Sequence, residues 1–148
     1  MKFPMIFLAL ALTIGVLQAG AAENAGQIKV SKGAVQIERS GQRTPAPVGS
    51  VVQQGDLVIT GADGSVGITF RDNSLLSVGP DSVLSIDRFV FDSTTHQGAF
   101  ESSLKQGTLA VVSGKLAKQS PEAMKVRTPA AILGVRGTEF LVRTGAKD

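Results

Sequence analysis

Ser65-Val66-Gly67-Ile68-Thr69-Phe70 alternates apolar with small or polar residues without a break. A period of two puts Val66, Ile68 and Phe70 on one face of an extended chain, which argues a half-buried β-strand rather than a helix. Turn formers bracket the run. Asp63-Gly64 precedes it and Asp72-Asn73-Ser74 follows it, residue types that accept positive φ or bond their own backbone.

The same rhythm spreads in both directions. Ala34 to Arg39 alternates, Val83-Leu84-Ser85-Ile86 and Phe89-Val90-Phe91 form two further runs, and Phe100, Ser102 and Leu104 share a face. Thr108 to Val112 and Thr138 to Arg143 complete the set. β-Branched residues are plentiful throughout, as strands prefer. Gly79-Pro80-Asp81 reads as a tight turn, and Gly41, Gly49, Gly55, Gly61 and Gly107 punctuate the rest. Thr44-Pro45-Ala46-Pro47 reads as extended, because the residue before a proline is pushed out of the α region. Lys115 to Ala123 is the one helical or irregular patch, and Pro121 keeps any helix there short. The chain is therefore expected to be all-β. Turn spacing through Gly79 suits a short-stranded β-solenoid, and equally a β-sandwich or barrel. No exact internal repeat chooses between them.

The N-terminus speaks to location. Lys2 precedes an apolar run from Phe3 to Val16 that only Pro4 and Thr13 interrupt, and Ala19-Gly20-Ala21 supplies small residues of the kind a signal peptidase reads. The run is shorter than the ~20 residues a comfortable span requires. Residues 1–21 are read as a secretory signal peptide, 22–32 as an N-terminal lead-in, 33–143 as a β domain and 144–148 as a C-terminal tail. Cleavage leaves about 125 residues, enough for one domain with a real core. No later run is long enough to cross a membrane, so no integral span is expected after cleavage and the chain is expected to be periplasmic or secreted, in a Gram-negative type envelope.

Composition excludes several chemistries. The chain has no cysteine, so disulfides, thiol catalysis and thiolate metal sites are impossible. Its net charge of +3 includes Lys2. Lys105, Lys115, Lys118, Lys125 and Arg127 make the second half more basic, yet they are spread like solvated strand and loop residues. Trp and Tyr are both absent, which removes the usual stacking platforms for nucleic acid and sugar. No nucleic-acid partner is expected.

His96 is the only histidine and lies in a polar turn, read as exposed rather than metal-ligating or catalytic. Asp56, Asp63, Asp72, Asp81, Asp87 and Asp92 are read mostly as turn residues that bond backbone, not as a glycosidase pair. Ser74 and Ser77 lack a nucleophile elbow. No catalytic residue, metal or cofactor is assigned, and the chain is read as a non-enzyme.

One stretch departs from plain strand chemistry: Val126 to Val142, with a Thr128-Pro129 turn and the run Gly134-Val135-Arg136-Gly137-Thr138. It lacks the Lys-Ser/Thr ending of a phosphate loop. Two glycines three apart mark a bulge or a close backbone approach, with Arg136 projecting from the bend. Gly134, Arg136, Gly137 and Thr138 are the candidate site, either a structural clamp or an anchor for a partner's carboxylate.

An ordered set of residues resembles the FecR domain. It runs through Gly49-x5-Gly55-Asp56, Thr60-Gly61, Gly64 with the Val66/Ile68/Phe70 strand, Asp72-Asn73-Ser74, Gly79-Pro80, Gly107-Thr108-Leu109, Thr128-Pro129 and Gly134-Val135-Arg136-Gly137-Thr138-Glu139-Phe140. The resemblance covers about Gly33 to Arg143. It implies an extracytoplasmic all-β domain, a short β-solenoid. In iron-uptake regulators that resemble it, the domain lies on the periplasmic side of a transmembrane anti-sigma protein, contacts the signalling domain of an outer-membrane receptor and passes a signal inward. Nothing before the domain here resembles a cytoplasmic sigma-binding part, so sigma-factor control by this chain alone is not expected. The expected function is a secreted interaction module whose partner is another envelope protein, linked to envelope or iron-uptake signalling. A structural accessory protein and a glycan-binding module are the alternatives.

Overall fold

Period-two patterning becomes twelve strands in the computed structural model, which describes residues 24–134 and 139–145. They are β1 (Asn24–Lys32), β2 (Val35–Arg39), β3 (Gln42–Pro45), β4 (Val51–Gln53), β5 (Leu57–Thr60), β6 (Ser65–Phe70) and β7 (Leu75–Val78), then β8 (Val83–Phe91), β9 (Gly98–Val112), β10 (Met124–Arg127), β11 (Ile132–Gly134) and β12 (Glu139–Thr144). Helix α1 (Lys115–Gln119) and a 3-10 turn (Pro121–Ala123) separate β9 from β10. The protein is all-β, and its strands curl into an open half-barrel. The signal-peptide reading of 1–21 lies outside the described residues.

Strand β9 is the spine. Its first half pairs with β8 on one side and, in parallel, with β10 on the other. Its second half pairs with β7 and β12. One wing then runs outward from β8 through β5 and β2 to β3, and the other from β7 through β6 and β1 to β4. Apart from β9–β10, these pairs are antiparallel.

Alternation decides what faces inward. In β6, Val66, Ile68 and Phe70 are buried and their neighbours half-buried, as the pattern requires. Leu76 and Val78 of β7, Leu84 and Ile86 of β8, and Phe100 and Leu104 of β9 meet them from the other strands. The rings of Phe70, Phe89 and Phe100 pack together with centroids 4.5 to 5.5 Å apart. Each large side chain removed from water contributes about 1.5–3 kcal/mol before entropy is counted. Helix α1 adds Leu116 and Ala117 to the core. Its five residues fit the short helix expected before Pro121.

Two features go beyond local pattern. The runs Val83–Ile86 and Phe89–Phe91, separate in the sequence, are one strand, because the register shifts between Ile86 and Arg88. Asp87 and Arg88 both face solvent, and the buried positions pass from Leu84 and Ile86 to Phe89. An extra residue at a bulge reverses side-chain parity without ending the strand. The same occurs in β9. Leu104 faces in, Lys105 and Gln106 both face out, and Leu109 and Val111 resume the core. The stretch 22–32, read as a lead-in, contributes β1 from Asn24 onward. That strand pairs with both β4 and β6 and buries Ala25 and Ile28.

Candidate functional site

The polar motif residues act first on the fold. Asp72 is fully buried between β6 and β7. Its Oδ1 accepts from the Ser74 N–H at 3.0 Å and its Oδ2 from the Ser74 hydroxyl at 2.7 Å. The Gly114 N–H donates to Ser74 Oγ at 3.0 Å, and the Lys115 N–H to the Asp72 carbonyl at 2.7 Å. The turn after β6 is thereby tied to the start of α1. A Cβ on Gly114 would stand 2.2 Å from the Asp72 carbonyl oxygen, so only glycine permits the approach.

A second knot joins three turns. Thr60 Oγ1 donates to the Gly79 carbonyl at 2.6 Å and accepts from the Ser82 N–H at 2.9 Å. The Ser82 hydroxyl donates to the Pro80 carbonyl and accepts from the Thr108 N–H. Gly107, at φ +100°, leaves the space that Ser82 fills. A third contact was not anticipated: Arg39 grips the buried Asp56 with Nε to Oδ1 at 2.8 Å and Nη2 to Oδ2 at 2.7 Å. Asp56 also accepts from the Gln53 N–H at 2.8 Å. Asp56 beside it raises the Arg39 guanidinium above its ordinary value. Nothing local in β2 marks Arg39 as the partner of a carboxylate 17 positions on.

The remaining titratable groups also serve turns. Asp63 accepts from the Ala34 N–H at 3.2 Å. The N–H groups of Thr94 and Thr95 hold the Asp92 carboxyl below the ordinary carboxylate range. His96 lies in the same turn, adds to that effect, and stacks on Phe91 at 5.9 Å. It is half-buried rather than exposed, because Phe91 covers one face. Asp87 differs from the turn reading: it sits within β8, where the Ser85 and Ser103 hydroxyls donate to it. Among the described residues, no three His, Asp or Glu side chains gather as a metal set.

The C-terminal stretch is built as a hairpin and an edge. Thr128 closes the β10–β11 turn: its N–H donates to the Ala131 carbonyl at 2.8 Å, and its Oγ1 accepts from the Ala131 N–H at 3.1 Å. Pro129 suits the turn because its φ is preset. Of the candidate residues, Gly134 is described and Arg136, Gly137 and Thr138 lie outside the described residues. Gly134 pairs with Lys125, and a Cβ there would meet nothing within 4 Å. The close approach expected at this glycine is not present on its described side. Strand β11 is exposed along its length, with Ile132 64% accessible. Strand β12 buries Val142 against β9 and leaves Leu141 62% accessible. The sequence signal for these edges is weak, because exposure of alternate apolar residues depends on which neighbour is missing.

Among the described residues, no helix is long and apolar enough to cross a membrane. The family model for FecR protein matches residues 56–148, from the buried Asp56 through β12 to the end of the chain. No curated protein sequence matches the chain. A solved structure described as a cell surface anchoring domain is similar at 32% identity with a TM-score of 0.41, covering 42% of this chain and 83% of that one.

Proposed function

Because the chain belongs to the FecR family, we propose that it is a non-enzymatic protein-interaction module of the cell envelope, exported to the periplasm by residues 1–21. Its partner is another envelope protein, and its role lies in envelope or iron-uptake signalling. The observation that carries this reading is the division of labour along the family-matched region. Thr60, Asp72, Ser74 and Ser82 spend their polar groups on holding turns. The outer strand β11 spends none of its side chains on the core. An exposed strand with apolar Ile132 and Leu133 is a surface to which a partner's strand can add. Arg136, two residues beyond Gly134 in the sequence, supplies a fork for a carboxylate on that partner.

A photo-crosslinking residue in place of Ile132, expressed in the native cell, tests this. The expected result is one discrete adduct with an envelope protein, weakened by Arg136→Ala while the melting temperature holds. Absence of any adduct, or an adduct only with a second copy of this chain, would overturn it.

A further inference from the structure

We propose that strand β12 pairs antiparallel with β12 of a second copy, about a two-fold axis at Leu141. Among the described residues, β12 bonds only to β9, and no other described strand lies along its second edge. The other outer strands are shorter: β3 has four residues and carries Pro45, and β4 and β11 have three each. Strand β12 has six residues and no proline. Open edges of that kind template pairing with another chain.

The residues of β12 are self-complementary in one register. With Leu141 opposite Leu141 of the second copy, Glu139 lies opposite Arg143 of the second copy, and Arg143 opposite its Glu139. All three residues are exposed, and all lie on the outer face, as alternation demands. Among the described residues, neither Glu139 nor Arg143 has an ion-pair partner. On the inner face the same register sets Phe140 against Val142 of the second copy. Phe140 is only half-buried by its own chain. Shifting the register by one residue would set outer against inner faces and lose both matches.

The outer surface beside this edge suits the pairing. Ala110 and Val112 of β9 flank β12 in an open trough of about 420 Å³ that also includes Glu139 and Leu141. In the cross-strand row through Leu141 the neighbours are Ala110, Ser77 and Gly67, so Leu141 stands above small residues. Two such leucines meeting at the axis cover apolar surface that each copy leaves wet. An edge of six residues makes a small contact, so the dimer is weak and concentration-dependent. This surface is distinct from the β11 edge assigned above to an envelope partner.

Sedimentation velocity of the purified protein from ~1 µM to ~1 mM tests the proposal. The expected result is a rise from the mass of one chain to that of two. Glu139→Arg alone, or Arg143→Glu alone, sets like charges across the axis twice and should weaken the dimer at least about tenfold. The double variant Glu139→Arg/Arg143→Glu restores both pairs and should recover it. An equimolar mixture of the two single variants should form a mixed dimer, since each then faces its complement. Circular dichroism shows whether each variant keeps its strands. A single-chain mass at every concentration would overturn the proposal, and so would a dimer indifferent to the single reversals. Recovery by neither the double variant nor the mixture would overturn this register.

Discussion

Ser74 and Gly114 are joined by a 3.0 Å hydrogen bond that closes the gap between two parts of the chain 40 positions apart. The Ser74 hydroxyl accepts from the Gly114 N–H while donating to the buried Asp72 carboxylate. The bond explains a polar turn motif by its far end. Asp72-Asn73-Ser74 is not only a turn; it is the socket for the start of α1.

Ser74→Ala should therefore leave the Gly114 N–H without its acceptor and Asp72 Oδ2 with only the 3.4 Å bond from the Leu116 N–H, in a dry site. A cost of about 1–3 kcal/mol is expected, lowering the melting temperature by roughly 4–10 °C in a domain this size. Gly114→Ala should cost more, because the added methyl meets backbone that cannot turn aside. Thermal unfolding followed by circular dichroism checks both. An unchanged midpoint for Gly114→Ala would show that the loop relaxes freely.

Gly134→Ala is the control on that argument. Its added methyl enters open space, so stability should stay within about 0.5 kcal/mol, as for ordinary surface changes. A loss of partner crosslinking at unchanged stability would show that the envelope partner's backbone comes close here.

Arg39→Ala removes two hydrogen bonds from a carboxylate that is only 1% exposed. Breaking a fully buried pair costs several kcal/mol, but Arg39 is itself partly exposed and water can reach the vacated side. A loss of about 1–3 kcal/mol by urea unfolding is expected. Arg39→Lys should recover only part of it, since an ammonium cannot bond both carboxylate oxygens in the same plane. The Asp56 carboxylate holds the Arg39 guanidinium above its already high ordinary value. Its contribution is therefore constant across neutral pH and is lost only in strong alkali, as pH rises through the raised folded value.

Asp92 should show the opposite dependence. Backbone N–H groups favour its charged form, so its folded value lies below 3.8. Its contribution is present above 3.8 and is lost as pH falls through the folded value. Carboxyl NMR titration should give a midpoint below 3.8, and Asp92→Asn should remove that step. A midpoint at or above 3.8 would sink the turn assignment.

Arg136→Ala and Gly137→Val separate the two roles kept open for the C-terminal bend. If Arg136 anchors a partner, its loss should reduce crosslinking from Ile132 without changing the melting point. If it clamps the bend, about 1 kcal/mol and several degrees should be lost instead. Gly137→Val should destabilise if that position needs positive φ, which a β-branched residue tolerates poorly. An equally stable Gly137→Val protein would remove the conformational requirement.

Much of the fold was legible before any pairing was known. Val66, Ile68 and Phe70 declared their face by alternation, and Pro121 limited the helix. Asp72 and Asp92 bond the backbone of their own turns as read, whereas Asp63 reaches the Ala34 N–H 29 positions away. What escaped was whatever spans a distance. Val83–Ile86 and Phe89–Phe91 read as two strands because a bulge reverses parity, and parity was the only local evidence. Arg39 carried no mark of Asp56, nor Gly114 of Ser74. The candidate bend was found as a departure from pattern, but pattern alone could not place its contacts.

By itself, then, the sequence determined the strand period, the turns, the inward faces and the absence of thiol chemistry. These are properties of neighbouring residues, set by backbone sterics and side-chain alternation. Only the tertiary structure decided that β9 is a shared spine, that β1 belongs within the sheet, and that, among the described residues, β11 and β12 stand at its margins. Strand order and edge exposure depend on which distant segments hydrogen-bond to one another, and no local periodicity encodes that choice.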